Sequence, residues 1–279
     1  MKFFLIPLLF LALLSYVNGA SILFTSSQTF IIPNGVTSVK VLVIGGGGGG
    51  APGHNGGGGA GYLSVGTFSV ASGQSVSVTV GQGGTGGRDL TNSNTISYLT
   101  AGTASSFGSF ISANGGKVVL GINLTGNNGS SGGGGAGNAG NGAAGGMAGS
   151  NGYASTFLGG TGQGNYLSLL TLFTENTITA GAGGAGGISS HGGGGGGGGI
   201  LINGTGISAE DGKNANSGKG GIGYGAGGGA GGLVGYRIDG GNGANGLVYI
   251  EYTATVPEPM TSILFGLSLL WIVIRKIVF

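Results

Sequence analysis

Few residues in this chain could do acid–base or metal chemistry, and their spacing argues against catalysis. There are two histidines, His54 and His191, each inside a glycine run, and no cysteine. A triad needs a base oriented by a third group, and no carboxylate stands near either histidine in sequence. Both are expected to be polar residues at loop tips. Asp89 and the Glu210-Asp211 pair could offer oxygens to calcium. Neither an Asp-x-Asp-x-Asp-Gly spacing nor a calcium-binding nonapeptide repeat is present, so solvated turn residues are expected instead. Several windows fit G-x-G-x-x-G, as chance alone would give with 75 glycines in 279 residues. A dinucleotide site needs a helix after the strand and an acid about 20 residues further on, yet no acid precedes Asp89 after Ile44. The phosphate loop ending Gly-Lys-Ser/Thr is also missing, since Lys213 and Lys219 precede Asn214 and Gly220. The expectation is no enzyme, with no catalytic residue, no metal ligand and no cofactor.

What remains is recognition. Tyr62, Tyr153, Tyr166, Tyr224 and Tyr236 would either present flat rings to a sugar or a partner chain, or fill the core. The stretch 165–179 is the longest glycine-poor interior segment. It suits a strand pair, a short packing helix or an apolar partner site. Nucleic acid is not expected as a partner, because residues 21–255 balance six basic residues against six acidic ones and form no basic stripe.

The composition constrains what can position such groups. Glycine loses more backbone entropy on folding than any other residue, so an ordinary packed domain of this composition would be unstable. Disorder needs low hydrophobicity and high charge, whereas the mean hydropathy is +0.37 and charged residues make up 6%. Collagen fails because the three-residue period is not kept and there are only five prolines. Between the glycine runs the pattern is that of strands. Ile22–Thr25, Gln28–Ile32, a Pro33-Asn34-Gly35 turn and Ser38–Ile44 follow from turn residues and alternation. Val39, Val41 and Val43 should face one side, and Lys40, Leu42 and Ile44 the other. Tyr62–Val70 and Ser75–Val80 read as a hairpin around Ala71–Gln74, residues 105–116 as a strand pair, and residues 246–252 as a closing strand.

This order of parts resembles the glycine-rich domain family of bacterial surface proteins and of phage tail-fibre and adhesin proteins. The residues that carry the resemblance are the Pro33-x-Gly35-Val36-Thr37 turn, the strand ending in poly-glycine at 45–50, and the closing Gly246-x-Val248-x-Ile250-x-Tyr252 strand. It implies a mainly β fold: an antiparallel β-framework whose glycine-rich segments pack as polyglycine-II-like helices or form glycine loops. Physics supports the packed form. A threefold extended helix has no internal hydrogen bonds, so its backbone groups must pair with neighbours, and only chains without Cβ atoms come close enough.

The two ends suggest export. Residues 1–20 carry a basic Lys2, an apolar run Phe3–Leu14 and a small-residue end at Gly19-Ala20, the pattern of a cleaved signal peptide. At the other end Val256-Pro257-Glu258-Pro259 breaks regular structure, Met260–Ile274 is apolar and uncharged, and Arg275-Lys276 follow. Residues 256–279 resemble the PEP-CTERM sorting segment, which has a Pro-Glu-Pro box, a transmembrane helix and a basic stop. That resemblance implies processing by an exosortase-type enzyme. The organisation expected is a signal peptide at 1–20, a glycine-rich β-domain at 21–255 and a sorting segment at 256–279. The chain would be exported to the cell surface or outside the cell, anchored at least transiently through residues 260–274. Its expected role is structural or adhesive, with extracellular polysaccharide or surface partners. The alternative is an adhesin-type module with a specific carbohydrate or protein receptor.

Overall fold

The computed structural model describes residues 16–89, 96–118, 125–137, 141–146, 150–164, 166–188, 191–213, 216–233 and 238–256. Its strands in chain order are β1 (Tyr16–Phe24), β2 (Gln28–Ile31), β3 (Ser38–Ile44), β4 (Leu63–Ser69), β5 (Ser75–Thr79), β6 (Arg88–Asp89) and β7 (Ile96–Ser97). They continue with β8 (Ser105–Phe107), β9 (Ile111–Ala113), β10 (Ile178–Ala180), β11 (Ile200–Ile202) and β12 (Leu247–Val256), and the one helix described is α1 (Leu167–Leu170). The fold is mainly β, and all of its strand pairs are antiparallel.

Two four-stranded sheets form the framework, with orders β1-β12-β3-β4 and β2-β5-β8-β9. Alternation puts Val39, Val41 and Val43 of β3 in the core between them, with Val248 and Ile250 of β12. The second sheet supplies Phe30, Val76, Val78 and Phe107. The other face of β3 carries Leu42 and Ile44 into a second core with Leu247 and Tyr249, roofed by Tyr166, Leu170, Phe173 and Ile178. The first sheet is therefore covered on both sides.

Two sequence expectations change here. The first strand starts at Tyr16 rather than Ile22, because β12 is ten residues long and pairs with it from Phe24↔Val248 to Tyr16↔Val256. The expected hairpin of β4 with β5 does not form. Leu63 of β4 lies opposite Ile44 of β3, and Val76 of β5 opposite Phe30 of β2. The turns at 33–36 and 71–74 both carry the chain from one sheet to the other; Gly35 (φ 78°) and Gly73 (φ 76°) supply the left-handed residues. Alternation names a residue's face but not its partner. The partner of β3 is set by the glycine excursion that leaves at Gly45 and returns at Tyr62.

That excursion continues the ladder in another form. Gly45 donates to Tyr62 O and Gly48 to Gly59 O; Gly46 and Gly49 donate to Thr103 O and Thr100 O; Gly47 and Gly50 donate to Ala244 O and Gly241 O. Every third residue meets the same neighbour, as in a threefold extended helix that turns each successive amide by a third of a turn. The run 192–199 does the same. Gly193, Gly196 and Gly199 donate to Asn216, Lys219 and Ile222; Gly194 and Gly197 to Asn55 and Gly58; Gly195 and Gly198 to Ala143 and Gly146. Its carbonyls accept from Gly187, Gly184 and Gly181, from Gly137 and Gly134, and from Ala230 and Gly227. Six surrounding segments thus satisfy one buried strand of backbone. A Cβ at Gly196 would sit 1.8 Å from Gly227 O, and one at Gly47 1.9 Å from Ala226 O. Methyl groups are accepted only at selected points, such as Ala60, Ala136, Ala226 and Ala230, all 0% exposed.

Candidate functional site

The densest polar construction lies on the outer face of the first sheet. Tyr249 and Glu251 stand two apart on β12 and therefore share a face, and Glu251 sits opposite Lys40 of β3. Glu251 is a buried carboxylate in a chain with few charges. Its Oε1 accepts from Thr174 N (3.0 Å), Glu175 N (2.9 Å) and the Tyr249 hydroxyl (2.9 Å). Lys40 Nζ lies 3.9 Å from its Oε2, donates to Leu172 O, and stands 5.6 Å from the Phe173 ring centre. These contacts fasten the segment after α1 to the sheet.

The network continues through amides. Asn176 Nδ2 donates to the Tyr249 hydroxyl and to Ser21 Oγ, each at 2.7 Å, and Asn203 Nδ2 donates to Asn176 Oδ1. Asn203 Oδ1 accepts from Thr177 N at 2.9 Å, which ties the end of β11 to the start of β10 where Asn203 (φ 51°) and Gly204 (φ 74°) turn the chain after β11. Burial pushes the Tyr249 phenol above its ordinary value, and the Glu251 carboxylate adds to the rise against the hydrogen bonds from Ser21 and Asn176.

A cleft of about 410 Å³ opens beside this network, lined by Leu170, Phe173, Thr174, Asn176, Thr177 and Asn203. A smaller hollow of about 180 Å³, lined in part by Lys40, Thr67 and Glu251, shares Thr174 and Glu175 with it. The cleft offers hydroxyls, carboxamides, one aromatic ring and the exposed carboxylate of Glu175, while the Glu251 carboxylate beside it is already taken by its donors. Such a surface offers hydrogen-bond donors and acceptors to a hydroxyl-bearing ligand. Sequence reading missed it, because Lys40, Asn176, Asn203 and Glu251 are scattered over four segments. The one trace was the glycine-poor stretch 165–179.

The residues singled out in the sequence fall elsewhere. Tyr166 and Tyr224 are buried in the second core, Tyr62 is half-buried and Tyr153 is 62% exposed; Tyr236 lies outside the described residues. Tyr98, not singled out, is 63% exposed with φ 66° and stands over Arg88 at 5.8 Å. Asp211 is exposed, pairs with Lys219 at 3.0 Å and accepts from Gly220 N at 2.9 Å, and Asp239 meets Lys213 (3.1 Å) and Arg88 (3.7 Å); exposed pairs of this kind contribute little. Asp89 lies in β6, opposite Ile96. His54 and His191 are not separate loop tips: both are partly buried and their ring centres are 5.1 Å apart. Among the described residues no group of three or more His, Cys, Asp or Glu could hold a metal.

Val256 ends β12. Pro257, Glu258, Pro259, Arg275 and Lys276, the apolar segment 260–274 and most of the signal peptide lie outside the described residues. Among the described residues no helix is long and apolar enough to cross a membrane.

The fold defines a class: a two-sheet β-framework from which backbone-packed glycine segments extend, with a polar cleft on its outer face. Residues 24–253 match the glycine-rich domain family, and the chain belongs to it. No curated protein matches the chain.

Proposed function

We propose that the chain is an exported cell-surface or extracellular-matrix protein with a structural, adhesive role and no catalytic one. The observation that carries this reading is the threefold hydrogen-bond pattern of the runs 45–50 and 192–199, which we read as a polyglycine-II-type bundle. Such a bundle gains its rigidity from backbone pairing, without disulfide, metal or ligand, and suits a module exposed to solvent outside the cell. The sequence of residues 1–20 and the Val256–Lys276 pattern support export, delivery to the membrane through residues 260–274 and trimming by an exosortase-type enzyme. Cleavage after Ala20 would still leave Ser21–Phe24 of β1 paired with Val248–Glu251. The cleft favours the second reading, an adhesin that takes a carbohydrate beside Phe173, Asn176 and Asn203.

Expression of the full chain, with protease accessibility of intact cells as the readout, tests the first reading. The chain should be surface-accessible, and a Pro257→Ala, Glu258→Ala, Pro259→Ala variant should stay in the membrane fraction. Retention of the unaltered chain in the cytoplasm would sink it. A glycan array with the full chain tests the second, with binding expected to fall in Asn203→Ala.

A further inference from the structure

We propose that removal of the signal peptide after Gly19 completes a site: the new α-ammonium group of Ala20 is taken up by the Glu175 carboxylate beside the outer-face cleft. This rests on the export reading above, and adds where the cut falls and what becomes of the new terminus. When a signal peptidase hydrolyses the Gly19–Ala20 bond, the water oxygen stays on Gly19 as a carboxylate that departs with the peptide. The Ala20 nitrogen gains a proton and remains. Gly19 and Ser21 lie on the outer face of β1, opposite Thr253 and Glu251 of β12. A Cβ built on Gly19 would press on Glu175 Oε1 and lie 2.9 Å from its Cδ. The carboxylate therefore stands at the bond to be cut, and the Ala20 nitrogen is two bonds from the Gly19 Cα.

What holds the new terminus in place does not depend on the signal peptide. Ser21–Phe24 keep their pairing with Val248–Glu251, and Ser21 Oγ accepts from Asn176 Nδ2 at 2.7 Å. Glu175 is fixed through its own amide, which donates to Glu251 Oε1 at 2.9 Å. Its side chain is exposed, and among the described residues its carboxylate has no ion-pair partner. The hollow of about 180 Å³ is lined by Glu175 and Glu251, with Lys40 as the one cation among its lining residues. Lys40 is committed elsewhere: it lies 3.9 Å from Glu251 Oε2 and donates to Leu172 O. The Tyr249 hydroxyl is spent on Glu251, and Tyr252, opposite Ala20, packs against the core between the sheets. Two carboxylates face one ammonium here, and a terminal ammonium at Ala20 balances the charge.

Expression of the full chain in a secreting bacterial host tests the proposal. N-terminal sequencing of the exported product should read Ala20-Ser21-Ile22. Its α-amino group, followed by NMR after reductive ¹³C-methylation, should titrate about half a unit or more above its value in the unfolded chain, ordinarily ~7.7–8.0. That is about threefold less free amine at a pH in this range. The contribution of the pair is thus present below pH ~8 and is lost as pH rises through the raised value. Glu175→Gln, at an exposed side chain, should abolish the rise, molar salt should shrink it, and Asp211→Asn should leave it unchanged. A product that begins at Ser21, or an Ala20 amine that titrates alike in the native and Glu175→Gln chains, would overturn the proposal while export stands. A chain that keeps residues 1–19 would remove the export reading and the proposal together.

Discussion

The sandwich and the glycine bundle solve one problem with opposite materials. Between the sheets, Phe30, Val41, Phe107 and Ile250 exclude water with side chains, and Phe24–Phe30 and Phe107–Phe110 pack ring to ring at 5.6 Å. Burial of apolar area is the driving term there. In the bundle little beyond a few alanines is apolar and buried; the interior is peptide groups, consecutive ones pairing with different neighbouring segments at 2.7–3.2 Å. Ordering glycine costs more entropy than ordering any other residue, so the bundle holds only because nearly every N–H and C=O finds a partner and backbones pack at contact distance. A core can be built from what the chain has everywhere, provided side chains are removed from it.

That contrast can be broken first at a bundle glycine. Gly196→Val places a Cβ 1.8 Å from Gly227 O, with backbone on every side and no side chain able to move. It should cost more than about 4 kcal/mol, the range reserved for gross steric failure. Gly73→Ala is the matched control: nothing lies within 4 Å of its Cβ, and only the φ of 76° opposes it, at about 1–2 kcal/mol. Denaturant midpoints of the two variants check the ordering, and similar losses would mean that the bundle is not close-packed.

The sandwich should respond as an ordinary core. Phe107, 0% exposed, changed to Ala should lose about 3–5 kcal/mol. Hydrogen exchange sharpens the comparison: the amides of Gly46–Gly50 and Gly193–Gly198 should stay as protected as those of Val39–Ile44. Fast exchange in the glycines alone would separate the two regions into a fold and its loops.

The cleft should respond more weakly than either core. Glu251→Gln weakens the acceptor for the Thr174 and Glu175 amides and the Tyr249 hydroxyl, so those two amides should exchange faster and stability should fall by about 1–3 kcal/mol. The raised pKa of Tyr249 means the folded chain holds that proton more tightly than the unfolded one. Its contribution is therefore fully present below pH ~10 and is lost as pH rises through the folded value. Melting temperatures measured across the alkaline range should fall more steeply for the native chain than for Tyr249→Phe.

Much of the framework was legible because local signals sufficed. Ser38–Ile44 ended where the glycines begin, Gln28–Ile31 stopped one residue short of the expected Ile32, and the two faces of β3 followed from alternation. The β4–β5 hairpin was misread because a four-residue turn can close a ladder or carry the chain to a second sheet, and only the pairing of β3 with β4 decides which. Apart from the glycine-poor stretch 165–179, the cleft and the histidine pair carried no local signal, since their proximity comes from segments far apart in the chain.

By itself, then, the sequence determined the elements: strands by their period, turns by Gly35 and Gly73, and backbone packing by 75 glycines that no side-chain core could accommodate. The tertiary structure alone decided partners. It set Glu251 under the Thr174 and Glu175 amides, turned β4 toward β3, and brought His54 to His191. The physical reason is that periodicity fixes the direction of a side chain locally, whereas neighbours in a bundle are fixed by which of many equivalent glycine segments the strands hold in register.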